Sequence, residues 1–272
     1  MEFAETAEPE LNESEVQVWL NKLESEQSNF QCAIEWSIKS GYAELGARLA
    51  GALGSFWNIR WHYSAGYRLL DSILKNCSGV SRAVFIKVLN CIGLLTRNQG
   101  EYEKAEKFFK RSVKLSKEAG DKQGIAVSLN GLAKVAEEKG NYDKAQKLYE
   151  ESIQISRTSG DKLNTAVSLN GLGIVSRFKG NYEETLKYYE ESLLIRRETG
   201  DIRGIANTLH NLGMLAEDMY DYEQSKKYYE ESLKLRKEIC DKLGITGALN
   251  GLAKLEINYG NYETAQKIFE ES

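Results

Sequence analysis

A segment of 40 residues recurs along the C-terminal two thirds of the chain without an insertion. Three complete copies span 121–160, 161–200 and 201–240, a less regular copy spans 81–120, and another begins at 241 and stops within its unit at 272. A fixed period of about 20–50 residues is typical of a solenoid, in which each unit contacts its neighbours. The repeat therefore predicts a long continuous surface, and function is expected there and not in a catalytic cleft.

Each copy contains two apolar stripes with helical spacing. In the copy at 121–160, Ile125 and Leu129 begin the first stripe, and Tyr142 and Leu148 belong to the second. A Gly-Asn or Gly-Asp pair follows each stripe. Glycine tolerates the left-handed conformation that ends a helix, and Asn or Asp caps the next one. Each copy is therefore predicted to be a helical hairpin with very short turns.

Fixed columns of small and large side chains run through the second helix of the copies. The small column consists of Ala105, Ala145, Thr185, Ser225 and Ala265. The pattern Leu-x-x-Leu-Gly/Ala, then Gly-Asn-Tyr, then Ala-x-x-x-Tyr resembles the tetratricopeptide repeat in an extended form of 40 residues. The resemblance covers 81–272, about five units with the last one truncated. It implies an all-α, right-handed superhelical solenoid of antiparallel helix pairs, with the first helices lining a concave face.

Two turns depart from the pattern, because Tyr220 and Cys240 stand where the other copies carry glycine. A positive φ at these residues would cost on the order of 1 kcal/mol each. Since solenoids absorb local variation, we expect these turns to adopt another geometry.

Residues 1–80 are built differently from the repeats. We expect a disordered lead-in over 1–13 and a divergent helical cap over 14–80, with one long helix from Ser14 to Ser40 and a helix pair over 43–61 and 64–75. Trp57 and Trp61 are spaced to share one helical face, and burial between hairpins is favoured over stacking on a ligand.

The cap carries a second resemblance. Val18-Trp19-Leu20 with Leu23-Glu24, then Asn29 to Trp36, is similar to the segment that opens the sensor region of bacterial signal-transducing ATPases with numerous domains. In that family a nucleotide-binding module and a winged helix precede the sensor, which detects an inducer. The resemblance implies the helical sensor region of a larger ATP-dependent signalling or transcriptional regulator. The alternative is a free-standing scaffold that binds an extended peptide of a partner protein.

Composition and motifs argue against several other functions. The 40 acidic and 36 basic residues are well mixed and give a net charge of −4, so no basic stripe favours nucleic acid. No GxxxxGK[ST] loop occurs. His62 and His210 have no ligand partners at metal-binding spacing, and no nucleophile–base pair is evident. We expect a non-enzymatic protein without cofactor or metal. Four cysteines without CxxC spacing, and no long apolar run, favour a cytoplasmic protein without membrane contact.

The candidate ligand-binding residues lie on the first helices. One polar column consists of Asn90, Asn130, Asn170, His210 and Asn250. Two interpretations stay open. The amides could bind the backbone of an extended peptide, or they could bond neighbouring helical turns.

A second candidate is an apolar patch at mid-groove. It consists of Ile174, Phe178 and Met214 and is flanked by Arg177, Glu217 and Asp218. Adjacent columns vary between copies while the packing columns do not, as expected of a recognition surface. We expect this patch to be the hot spot for a protein or peptide partner, or for a small-molecule inducer.

The last helix is the third surface considered. Tyr262, Ile268 and Phe269 are expected to be partly exposed and to drive end-to-end self-association. The Glu-Glu-Ser runs of the second helices are expected to face solvent and not to form a catalytic or cation-binding site.

Overall fold

The computed structural model describes residues 1–11, 16–76 and 78–271, which form sixteen helices and no strand. The N-terminal helices are α1 (Glu2–Glu10), α2 (Val16–Ser25), α3 (Gln27–Lys39), α4 (Ala43–Ala52), α5 (Gly54–Ile59) and α6 (Tyr63–Lys75). The first repeats contribute α7 (Arg82–Asn98), α8 (Tyr102–Ala119), α9 (Lys122–Glu138) and α10 (Tyr142–Ser159). The remaining helices are α11 (Lys162–Phe178), α12 (Tyr182–Thr199), α13 (Ile202–Asp218), α14 (Tyr222–Glu238), α15 (Lys242–Asn258) and α16 (Tyr262–Glu271). The predicted all-α solenoid of antiparallel helix pairs is confirmed.

The described helices belong to two compact units. The first unit comprises residues 1–11, 16–76 and 78–164, and the second comprises 165–271. Helix α11 begins in the last residues of the first unit and continues in the second. The first helices α7 and α9 lie side by side, as do α13 and α15, and α8, α10, α14 and α16 pack on the first helices of their own repeats. Helix α12 contacts α11 where Tyr189 lies against Gly173.

Aromatic rings of the second helices pack against glycines of the first helices. In the second unit, the Tyr229 ring lies between Gly213 of its own repeat and Gly251 of the next. A Cβ at Gly213 would lie 2.7 Å from Tyr229 Cε1. In the first unit, Phe109 has the same relation to Gly93 and Gly131. These glycines therefore set how closely the helices of one repeat and the next approach.

The turns keep one backbone geometry throughout the repeats. The turn glycines have positive φ, from 68° at Gly120 to 80° at Gly260. Tyr220 and Cys240 also have positive φ, of 62° and 51°. The expectation of another turn geometry is therefore wrong for both. The hydrogen bonds that close the turns explain why, since Asp221 N donates to the Ala216 carbonyl at 2.8 Å, as Asn141 N does to Ala136 at 2.8 Å.

The N-terminal segment differs from the expected disordered lead-in, because Glu2–Glu10 is helical. Ala4, Ala7 and Leu11 are buried at 1%, 0% and 0% exposure. Their spacing of three and four residues gives α1 one apolar face, and burial of that face holds the segment in place. Arg48 also binds Glu5 at 2.7 Å. Residues 12–15, Cys77 and Ser272 lie outside the described residues, so the expected helix start at Ser14 does too.

Two of the long helices expected in the cap are interrupted. The helix expected to reach Ser40 is divided at Glu26 into α2 and α3, and the helix expected over 43–61 is divided at Leu53 into α4 and α5. Trp57 is buried at 2%, as expected, where it packs on Gly66. Trp61 is 56% exposed with φ of 58°, because α5 has already ended. The two tryptophans therefore do not share a helical face.

Candidate functional site

The polar column of the first unit bonds neighbouring repeats. Asn90 accepts a hydrogen bond from Ser128 Oγ at 2.8 Å. Asn130 is 7% exposed, and its Nδ2 lies 3.4 Å from both the carbonyl oxygen and Oδ1 of Asn164. Both contacts join first helices about one repeat apart. Asn130 is therefore not available to a ligand, because it is buried beside Asn164.

The column is more accessible in the second unit. Asn170 is half-buried and accepts a hydrogen bond from Asn211 Nδ2 at 3.0 Å. His210 is half-buried, and Asn250 is exposed. The contacts of Asn90, Asn130 and Asn170 are thus with the first helix of an adjacent repeat and not with neighbouring turns of their own helix. Asn250 is open to solvent.

His210 lies in a cationic and largely desolvated position. Its ring centroid is 5.2 Å from that of Tyr229, and its Cε1 faces Gly247 of α15. Burial, followed by the charges of Arg236 and Arg177, lowers the pKa of His210 to about 4. Its Nδ1 is buried without a hydrogen-bond partner. His210 is therefore a neutral imidazole at pH 7 and not a cation for a ligand.

Arg177 joins the end of α11 to α13. Its Nε donates to Asp218 Oδ2 at 2.8 Å, and its Nη1 lies 3.5 Å from Met214 Sδ. Its guanidinium carbon is 5.5 Å from the ring centroid of Phe178. Only 14% of the Arg177 side chain is exposed, so its charge is committed to these neighbours. The guanidinium holds the predicted patch together and is not itself an open anion site.

The apolar members of the patch differ in exposure. Phe178 is 57% exposed at the last residue of α11. Ile174, one turn earlier, is half-buried against the core formed by Tyr189, Leu212 and Leu215. Met214 is half-buried on the next core, which contains Tyr229. The patch therefore presents one projecting aromatic ring above two anchored aliphatic side chains.

A tyrosine–glutamate pair next to the patch was missed by the sequence analysis. Tyr229 Oη donates to Glu217 Oε2 at 3.2 Å, and Lys254 binds the other oxygen of Glu217. Burial and the Glu217 charge raise the pKa of Tyr229. Tyr149 and Glu137 form the same pair in the first unit at 2.9 Å.

The sequence carries a signal for this pair. Both repeats with glutamate at this position, Glu137 and Glu217, have tyrosine twelve residues later. Arg97 and Ile257 are followed by Phe109 and Phe269, but Arg177 is followed by Tyr189, so the glutamate and not the tyrosine marks the pair. This column, which the sequence analysis assigned to recognition, therefore fixes each second helix on its first helix in the two Glu-containing repeats.

The sequence profile of the tetratricopeptide repeat matches residues 85–158, 125–198, 164–238 and 204–272. These overlapping matches cover more than half of the chain. The chain belongs to the tetratricopeptide-repeat family. No curated protein matches it significantly in sequence.

Solved structures with tetratricopeptide-like helix pairs are similar to this chain. BtubC (BKLC) from P. vanneervenii is 18% identical with a TM-score of 0.59, over 88% of this chain and 89% of BtubC. The apo form of RapI is 16% identical with a TM-score of 0.66, over 82% of this chain and 80% of RapI. NprR in complex with its cognate peptide NprX is 21% identical with a TM-score of 0.65, over 94% of this chain and 76% of NprR. At these identities, the likeness concerns the fold.

The junctions between tetratricopeptide repeats contain two buried arginines that the sequence analysis also missed. Arg196 donates from Nη1 to Asp201 Oδ2 at 2.6 Å, and Arg236 donates to Asp241 Oδ2 at 2.9 Å. Both side chains are 8% exposed. A Cβ at Gly204 would overlap Arg196. These pairs tie the end of a second helix to the cap of the next first helix, and they are structural.

The described part of the chain contains neither a metal-binding group nor a spanning helix. Across residues 1–11, 16–76 and 78–271, no cluster of three His, Cys, Asp or Glu side chains could hold a metal ion. No helix among these residues has the length and apolarity needed to cross a membrane. On the second helices, Glu151 binds Lys117 at 3.0 Å and Glu231 binds Arg197 at 3.0 Å, so these carboxylates pair with the preceding repeat.

Proposed function

We propose that this chain is a non-catalytic module that binds an extended peptide segment of a partner protein on the first-helix face of residues 165–271. The first-helix face is the surface formed by α11 from Thr165 onward, α13 and α15. The observation that carries the proposal is the exposure of Phe178, 57%, at a position where the neighbouring side chains are already held in place. A rigid exposed aromatic ring surrounded by satisfied polar groups is typical of a binding hot spot.

The surroundings of Phe178 favour a peptide as the ligand. Ile174 and Met214 supply apolar contact beside the ring, while Asp218, with a side chain 35% exposed, supplies an acceptor. Asn250 offers an exposed amide two repeats farther along from Asn170. Apolar anchors combined with an exposed amide suit the side chains and main-chain groups of an extended segment. NprR, whose fold is similar, has been solved in complex with a peptide.

Selection from a random peptide library tests this proposal. Peptides are selected on the purified chain, and their affinities are measured by calorimetry for the wild type and for Phe178→Ala. We expect Phe178→Ala to weaken binding about tenfold, or ~1.4 kcal/mol. Leu194→Ala is the matched control, since Leu194 is 60% exposed but lies on the second helix α12. Equal affinities for wild type and Phe178→Ala, or a loss only in Leu194→Ala, would refute the proposed site.

We further propose that the module is the cytoplasmic sensor region of a larger ATP-dependent regulator. The similarity of residues 18–36 to the opening of such sensor regions supports this proposal. The fold likeness to the apo form of the quorum sensor NprR from B. thuringiensis supports the sensing role alone. The genomic sequence upstream of Met1 tests it. A phosphate-binding loop followed by a winged helix supports the regulator, whereas a start codon supports the free-standing scaffold. A small-molecule inducer is the alternative ligand for the same face.

A further inference from the structure

We propose that the chain has a second binding surface, separate from the first-helix face, that takes arginine side chains of a partner. This surface, the tyrosine edge, consists of Tyr220, Tyr222 and Tyr259 at the turns that precede α14 and α16. The proposal does not depend on the peptide site around Phe178.

The first observation is the backbone of Tyr220. Its φ of 62° lies in the left-handed region, which is strained for a residue with a Cβ. The equivalent residues of the other repeats are glycines, which adopt this region without strain: Gly100, Gly140, Gly180 and Gly260. The Tyr220 side chain is 80% exposed, so burial in the fold does not offset the strain. Strained residues with exposed side chains are found at functional sites, where the side chain has a use that the fold alone does not explain.

The second observation is the arrangement of the rings. The Tyr220 and Tyr222 centroids are 6.3 Å apart with planes at 75°, and the Tyr222 and Tyr259 centroids are 6.0 Å apart with planes at 78°. Tyr222 is partly buried against the core containing Tyr229, which anchors the group. Tyr259 is 45% exposed. Tyr220 and Tyr259 are thus exposed to solvent within the group, and the face of a tyrosine ring attracts cations.

The third observation is the charge of the two turns. Residues 218–224 and 256–263 contain five carboxylates and no basic residue. Met219 and Tyr259 stand where two other turns carry Lys139 and Lys179. Asp218 is paired with Arg177, and Glu256 with Lys226 at 2.9 Å.

The remaining carboxylates make the electrostatic potential near the rings negative. Asp221 and Glu223 are exposed, and they adjoin Tyr220 and Tyr222 in the sequence. Their charges add to the attraction of a cation to the ring faces. Arginine fits this surface better than lysine, because its planar guanidinium stacks on a tyrosine ring while its N–H groups reach carboxylates.

Fluorescence anisotropy with a labelled peptide of alternating arginine and glycine tests the proposal. We expect the wild type to bind this peptide more tightly than the matched lysine–glycine peptide, and not to bind the glutamate–glycine peptide. Tyr220→Gly is expected to weaken arginine binding about three- to fivefold, while raising the thermal stability. Tyr259→Lys, which introduces the residue found in two of the other turns, is expected to weaken arginine binding at least as much.

Two control variants distinguish binding at the tyrosine edge from relief of backbone strain and from binding at the first-helix face. Cys240→Gly relieves a similar backbone strain, at φ 51°, outside the tyrosine edge and is expected to leave arginine binding unchanged. Phe178→Ala is also expected to leave it unchanged, which distinguishes this site from the first-helix face. The proposal is overturned if Tyr220→Gly binds as the wild type does, if the arginine and lysine peptides bind equally, or if neither is bound.

Discussion

His210 stands in a column otherwise occupied by asparagine, and its charged neighbours come from two helices. Arg177 reaches it from α11 and Arg236 from α14, while Tyr229 packs on its ring. Both arginines and the desolvation oppose protonation. The imidazole is therefore neutral in the folded protein, and the stability of the fold depends on the pH through this residue.

The lowered pKa of His210 predicts a loss of stability in acid. The folded pKa is about 4, against an ordinary value of 6.5. The unfolded chain thus takes up a proton between these values and the folded chain does not, so stability is full above pH 6.5 and decreases as the pH falls towards 4. We expect this residue to contribute on the order of 2 kcal/mol to that loss. Urea unfolding near neutral pH and at about pH 4.5 measures it.

His210→Asn, which restores the residue of the column, isolates this contribution. Protonation of carboxylates with a lowered pKa, such as Glu106 with a pKa of about 2, also destabilises the protein in acid. These carboxylates are present in both the wild type and His210→Asn, so their effect cancels in the comparison. The variant is expected to have a smaller difference in unfolding free energy between the two pH values. An identical difference in the two proteins would show that His210 is not the cause.

The strained turn residues give a second prediction. Tyr220→Gly and Cys240→Gly remove the side chain from a left-handed backbone position. We expect each to raise the free energy of unfolding by about 0.5–1 kcal/mol, because the relief of strain exceeds the added entropy of the unfolded chain. Urea denaturation measures the gain, with Cys240→Ala as a control that keeps the Cβ and gains nothing. A loss of stability in both glycine variants would show that these turns are not strained.

The helices of the repeats were predictable because local signals mark their ends. Asp121 and Asp201 accept hydrogen bonds from the amides of Gly124 and Gly204 at 2.9 Å, as caps inferred from the sequence should. No glycine or proline lies near the break at Glu26, so the boundary between α2 and α3 was not predictable from the sequence. The end of α5 before Trp61 was missed for the same reason.

The close approach of the first and second helices of a repeat gives a prediction about helix packing. Gly213→Ala places a Cβ 2.7 Å from Tyr229 Cε1 and should cost about 1–3 kcal/mol of stability. Gly247→Ala is the matched control, since its nearest neighbour is His210 Cε1 at 3.9 Å. There alanine should stabilise α15 by about 0.5–1 kcal/mol through its helix propensity. Thermal unfolding compares the two, and similar effects of both changes would contradict the packing described.

Across the whole chain, the family and the solenoid class followed from the 40-residue period, whereas the role of single columns did not. Asn130 and Asn170 occupy equivalent positions, yet one donates to Asn164 and the other accepts from Asn211. These partners come from the next repeat and from other columns, so no local pattern identifies them. Phe178 was identifiable as a candidate because it is the one large aromatic residue in its column.

Self-association is a prediction for the whole molecule. Tyr262 and Phe269 on the last described helix are 70% and 45% exposed. Burial of these rings against another copy would remove apolar surface from water. Light scattering is expected to give an apparent mass that rises with concentration, and Tyr262→Lys with Phe269→Lys should reduce the rise. A strict monomer at high concentration would contradict this prediction.

Site-specific crosslinking tests the central claim most directly. The photoreactive residue p-benzoylphenylalanine replaces Phe178 in one protein and Leu194 in another, and each is irradiated with a selected peptide. Because the claim places the peptide on the first-helix face, we expect a covalent adduct from position 178 and none from position 194. An adduct from position 194 alone, or from neither position at saturating peptide, would contradict the account.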